Sequence, residues 1–164
     1  MQKTGIDWAR NGMAIDADAP YCGYFVAGQH RYAVRVYYED TDAGGVVYHA
    51  NFLRFFERAR SDMLALAGID HLAVLAELGQ GYVVSEANLR YLAPARLGDA
   101  LVIVSRPEAI RAASCVIQQR VIRNDAVIVD GRITLAFVSA DGRPRRQPPE
   151  WLVAMRAIAG EDGA

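Results

Sequence analysis

One Phe-rich stripe of helical period, followed by four consecutive segments of strand period, restricts this chain more than any other feature. Phe52, Phe55, Phe56, Ala59, Met63 and Leu66 recur at helical spacing, with Arg54, Arg58 and Asp62 between them. Gly68 supplies the usual C-terminal stop, and Asp70 or His71 opens a shorter helix running to Leu78. Strands are then expected at Tyr82 to Leu92, Ala100 to Ile110, Ser114 to Ile122 and Val127 to Val138. Pro94, Gly98-Asp99 and Asn124-Asp125 punctuate them, the last pair as a hairpin turn. Asp141-Gly142 closes the last strand, and Pro148-Pro149 introduces a terminal helix around Trp151 to Ile158.

Ahead of the stripe, Val34, Val36 and Tyr38 alternate with Ala33, Arg35 and Tyr37, the period of one more strand. The order strand, long helix, four strands describes an α+β domain with one antiparallel sheet and one main helix. Wrapping the sheet around the helix covers the Phe stripe. The outer face and the edges of the sheet are left for a second subunit.

The 164 residues, 52% of them hydrophobic, suffice for one domain with its own core. Residues 1–29 lack any sustained period and read as an irregular extension with one short apolar anchor, Tyr21 to Gly28. The folded domain is expected over 30–160. The anchor falls far short of the roughly 20 residues of a membrane-spanning helix and lacks the flanks of a secretory signal. A net charge of -1 argues against nucleic acid as a partner. Cys22 and Cys115 make no metal spacing and suit a reducing compartment. The expected location is the cytoplasm.

Chemistry concentrates between the first strand and the long helix. Glu39, Asp40 and Asp42 precede the adjacent glycines Gly44-Gly45, and His49 follows Asp42 by seven residues. Gly44-Gly45 tolerates positive φ and lets a ligand approach the backbone. The helix begins near His49 to Asn51, where unpaired N–H groups favour developing negative charge. An Asp beside such an end suits a nucleophile or general base acting on an ester-like carbonyl. Each residue also has a plainer reading. Asp42 suits a turn residue that accepts from its own backbone, and His49 or Asn51 suits a helix cap. Glu39 and Asp40 suit solvated or structural positions. The Arg143, Arg145, Arg146 run fits either nucleotide phosphates or a solvated turn. No serine elbow, calcium loop or dinucleotide fingerprint fits its context.

The run Tyr37-Tyr38-Glu39-Asp40-Thr41-Asp42-Ala43-Gly44-Gly45-Val46-Val47-Tyr48-His49-Ala50-Asn51 resembles the signature of the 4-hydroxybenzoyl-CoA thioesterase family. The likeness is greatest to the branch associated with the bacterial Tol–Pal envelope system. Phe55 to Arg60, Tyr91 to Asp99 and Arg143 to Pro149 continue the match, which spans about Arg31 to Ile158. The resemblance implies a hotdog fold, a five-stranded antiparallel sheet wrapped around the long helix. It also implies a homodimer or homotetramer with acyl-CoA sites between subunits, and no metal or redox cofactor. It places the catalytic carboxylate on Asp42 and an active-site role on His49, whose backbone N–H would polarise the thioester carbonyl. Gly45, Val47 and Tyr48, inside the signature, are assigned to substrate contact. Glu57 is a weaker candidate, because distant hotdog branches use a helix carboxylate. The implied reaction is hydrolysis of an acyl-CoA thioester to free acid and CoA. Two rivals stand beside it: an acyl-carrier-protein or envelope-synthesis binding partner with incidental hydrolysis, and a hotdog acyl-thioester dehydratase. The dehydratase would set His on one subunit against a helix carboxylate of the other.

Overall fold

The computed structural model describes residues 20–160, so most of the expected irregular extension, residues 1–19, lies outside the described residues. Ten elements follow in order: β1 (Tyr24–Val26), β2 (Gln29–Arg35), a 3-10 turn (Tyr38–Asp40), α1 (Asn51–Leu66), α2 (His71–Leu78), β3 (Gln80–Tyr91), β4 (Ala100–Ile110), β5 (Ser114–Arg123), β6 (Ala126–Ser139) and α3 (Pro149–Ala159). The strands form one antiparallel sheet in the order β1-β2-β4-β5-β6-β3.

The sheet thus has six strands, where five were expected. The additional one, β1, comes from the end of the segment read as irregular. Tyr24, Phe25 and Val26 fold back on Arg31, His30 and Gln29 through a two-residue turn. Ala27 and Gly28 both carry positive φ, 48° and 70°, as a twist-matched hairpin turn requires. Three residues are too few to show alternation, and alanine is not a residue that signals such a turn. The first expected strand also ends early. Alternation runs on to Tyr38, but pairing of β2 stops at Arg35. Val36 keeps a place beside β4's entry by donating to the Asp99 carbonyl at 3.0 Å and accepting from Gly98 N–H at 3.0 Å. Tyr38 then enters the 3-10 turn.

Phe52, Phe55, Phe56, Ala59 and Met63 bury the apolar stripe of α1 against Ile103, Ile117, Val121, Ile133, Leu135 and Phe137 of the sheet. The close approach of helix to sheet needs Gly131 on β6, because a Cβ there would lie 2.5 Å from Cε2 of Phe56. Pro107 is tolerated within the central strand β4 because it sits where the register with β5 shifts and where pairing with β2 has ended at Ser105. Asn124 and Asp125, at φ 48° and 65°, make the hairpin turn expected between β5 and β6. On α3, Trp151 packs against Tyr82 and Phe137, with ring centroids 5.6 and 5.5 Å apart.

A polar network runs through this core. Arg60 of α1 is 8% exposed and donates to Gln119 Oε1 at 3.0 Å, and Gln119 Nε2 donates to Phe56 O and Ser105 Oγ, each at 2.9 Å. Burial pulls the Arg60 guanidinium below its ordinary pKa, with Glu57 opposing that shift. The network bolts α1 to β4 and β5. Nearby, burial pushes the Cys115 thiol up to about 12. Cys115 is enclosed in the core, whereas Cys22 is exposed.

Candidate active site

The loop between β2 and α1 closes on itself. Asp42 N–H donates to Val46 O, and Gly45 N–H donates to Asp42 O, each at 3.0 Å. Thr41 bridges Val47, and Val46 bridges Arg96. Gly45 has φ +70° and open space where a side chain would project. Asp42 is exposed, and its Oδ1 accepts from Gly44 N–H at 2.8 Å. The turn role is therefore present. It occupies one carboxylate oxygen, and Oδ2 has no partner among the described residues.

Asp40 builds the loop from inside. It is 8% exposed, its Oδ2 accepts from Tyr37 N–H at 2.8 Å, and its carbonyl accepts from Tyr48 N–H and Asn51 Nδ2, each at 2.9 Å. Asn51 thus ties the helix start to the loop and leaves the helix end uncapped. Ala50 occupies the N-cap position with no side-chain bond. The N–H groups of His49 and Ala50 find no acceptor among the described residues. These are donors of the kind that hold an oxyanion.

His49 is exposed, its ring 4.5 Å from that of Tyr48, and its carbonyl accepts from Tyr91 OH at 3.1 Å. Asp42 and His49 share the loop without a hydrogen bond between them. Tyr48 is exposed as well, though its N–H is spent on Asp40. Val47 is different: it is 5% exposed, packs in the core and gives its N–H to Ala95 O at 2.8 Å. It supports the loop from beneath, with no side-chain surface for substrate in a single chain. Behind Ala95, Asp99 accepts from Arg96 N–H at 2.9 Å and from Arg123 Nη1 at 2.7 Å. Those two bonds, the Arg96 N–H first, hold the Asp99 carboxyl below the usual carboxylate range.

Glu57 lies elsewhere, accepting from Ser61 Oγ at 2.7 Å on a cleft of about 480 Å³. Leu75, Tyr82, Val84 and Leu135 form much of its apolar wall. Tyr91 marks the loop end of β3, and Gly81 to Val84 mark the cleft end, roughly 25 Å away along the strand. The cleft residues come from α1, α2, β3 and β6, so no local spacing could announce them. Of the basic run, Arg143 pairs with Asp141 at 3.0 Å, and Arg145 and Arg146 are exposed. Among the described residues there is no group of three or more His, Cys, Asp or Glu able to hold a metal ion. No described helix is long and apolar enough to cross a membrane.

The profile of the thioesterase-like superfamily matches residues 36–155. The chain belongs to that superfamily. Its thioesterase-like sequence is 44% identical over 100 residues to the acyl-CoA thioester hydrolase YbgC of Escherichia coli O157:H7, a match covering 61% of this chain and 74% of that protein. Among solved structures, a probable thioesterase from Bartonella henselae superposes with a TM-score of 0.70 at 31% identity, over 73% of this chain and 99% of that one. A 4-hydroxybenzoyl CoA thioesterase mutant complexed with 4-hydroxybenzoyl CoA superposes with a TM-score of 0.73 at 19% identity, over 79% and 99% of the two chains, a likeness of fold. The hotdog-like α+β architecture is common to this thioesterase-like chain and those structures.

Proposed function

We propose that this protein hydrolyses acyl-CoA thioesters to a free acid and CoA, with Asp42 as nucleophile or general base. The observation that carries the reading is the pairing, on one closed loop, of an exposed carboxylate oxygen with the open N–H groups at the start of α1. As nucleophile, Asp42 Oδ2 bonds to the thioester carbon while the carbonyl electrons move to oxygen. Collapse expels the CoA thiolate and leaves a mixed anhydride that water hydrolyses. As general base, Asp42 takes a proton from water, and the hydroxide makes the same attack. In both routes the oxyanion is held by the His49 and Ala50 N–H groups. Losing one such donor costs about 10²–10³ in rate. The thiolate leaves readily, so the His49 ring contributes less than Asp42.

The working unit in this reading is a homodimer in the cytoplasm. β3 is a twelve-residue edge strand whose Val83 and Val84 are 47% and 52% exposed. Such an edge is normally covered. Antiparallel pairing of β3 with β3 of a second copy sets the loop end of one strand beside the cleft end of the other. The cleft then takes the acyl group of a thioester held at the other copy's loop. Gly45 and Tyr48 remain the loop's exposed substrate contacts.

The test is thiol release from a panel of acyl-CoAs, from short aliphatic to long-chain and aromatic, together with an acyl carrier protein charged with the same groups. Turnover of at least one acyl-CoA is expected. Release from the carrier alone would replace CoA by the carrier protein as substrate, and release from neither would overturn the reading.

A further inference from the structure

The two edges of the sheet are treated in opposite ways. At the β3 edge twelve residues stand open among the described residues. The seven-residue β2 would offer a second edge, with the amides of Gln29, Arg31 and Ala33 on its outer side. Residues 21–26 take up that side. Tyr24 and Val26 pair with Arg31 and Gln29, and Ala33 N–H donates to Tyr21 OH at 3.1 Å. Among the described residues, a seven-residue edge is thereby exchanged for one of three residues.

The segment is clamped from below by α1. Asp62 Oδ2 accepts from Gly23 N–H at 2.8 Å and from His30 Nε2 at 2.6 Å, so one oxygen holds both arms of the hairpin. His30 is fully buried, its ring 5.5 Å from Phe25 and 6.3 Å from Tyr32. Its Nδ1 is buried without a partner, which assigns the donated proton to Nε2. Gly23 is required at the crossing, because a Cβ there would lie 2.4 Å from Arg31 O and 2.5 Å from His30 Nε2. The superfamily match begins at residue 36, so Gly23 and His30 lie outside the matched region, whereas Asp62 lies within it.

We propose that residues 21–26 are a built-in edge cap. Clamped to α1 through Asp62, they keep the β2 edge from accepting a strand of a second copy and so confine assembly to the β3 edge. Short edge strands and covered edges are general means of preventing sheet-to-sheet association.

The experiment uses the full chain and the variants Gly23→Val and Asp62→Asn. Hydrogen exchange is followed at Arg31 and Ala33, and particle mass by light scattering across a concentration series. The wild-type chain is expected to hold one particle size. Gly23→Val drives the cap off the edge, so exchange at Arg31 and Ala33 should rise by about tenfold or more, and larger particles should accumulate with concentration. Adding Ala33→Lys, a charge on the freed edge, should restore the wild-type size. Asp62→Asn, which keeps the shape of the clamp, should shift both readouts in the same direction by less. Thiol-release activity per chain monitors folding, since none of these residues touches the Asp42 loop. Faster exchange with unchanged particle size would overturn the proposal, as would larger particles that Ala33→Lys does not disperse. Unchanged exchange in both variants would show that the cap does not hold the edge.

Discussion

Asp42→Asn is expected to lower thiol release by about 10²–10⁴-fold, the range a positioned acid–base group supplies, and to leave the fold in place. The side chain is exposed, and among the described residues its only hydrogen bond comes from Gly44 N–H. An asparagine carbonyl accepts that bond equally well, so the closed loop and the helix start beyond it persist. What disappears is the anionic Oδ2, which neither attacks a carbonyl nor takes a proton from water once it is replaced by an amide nitrogen. Initial rates on the best acyl-CoA of the panel, with circular dichroism and melting curves of the same samples, check both halves. Turnover close to wild type would remove Asp42 from the mechanism. A collapsed melting curve would instead assign it the plain turn role.

The second large effect is on stability. Gln119→Leu should destabilise the chain by about 3 kcal/mol, because it strips the buried Arg60 of its hydrogen-bond partner and leaves Phe56 O and Ser105 Oγ without their donor. At about 2–4 °C per kcal/mol for a chain of this size, Tm should fall by roughly 6–12 °C. The double variant Gln119→Leu/Arg60→Leu should regain the part of the loss that comes from the unpaired Arg60, since apolar groups then replace both charge and partner, while Phe56 O and Ser105 Oγ stay without their donor. Denaturant melts of both variants measure this. A single variant as stable as wild type would mean that Arg60 reaches solvent without cost.

Elements with strong local signals were legible in the sequence. The α1 stripe from Phe52 to Met63, the Asp70 cap of α2 and the bounds Ala100–Ile110 of β4 stand where periodicity and turn residues put them, whereas Leu66, read as the last residue of the stripe, is exposed. β1 was not legible, because its existence depends on His30, Gly23 and Asp62 meeting across the fold. The end of β2 was misplaced for a similar reason: alternation through Tyr38 is a property of the residues, whereas the break after Arg35 is set by the end of pairing with β4. In the candidate site, Asp42, Gly45, Tyr48 and His49 lie on one exposed loop, as their spacing suggested. Val47 reads the same way in sequence but faces the core, because alternation along 46–48 turns it inward toward Ala95. The cleft, assembled from four separated elements, left no local trace.

The unequal burial of the two cysteines has a practical consequence for any assay that detects released CoA with a thiol-reactive dye. Cys115, enclosed and with its thiol pushed up to about 12, holds almost no thiolate at neutral pH and stays silent. Cys22, on the exposed approach to the hairpin, is where such a dye meets the protein itself. Progress curves should therefore begin with a small step proportional to enzyme and independent of substrate, to be subtracted before a rate is drawn. The same residue offers a fluorophore a single attachment point on the cap.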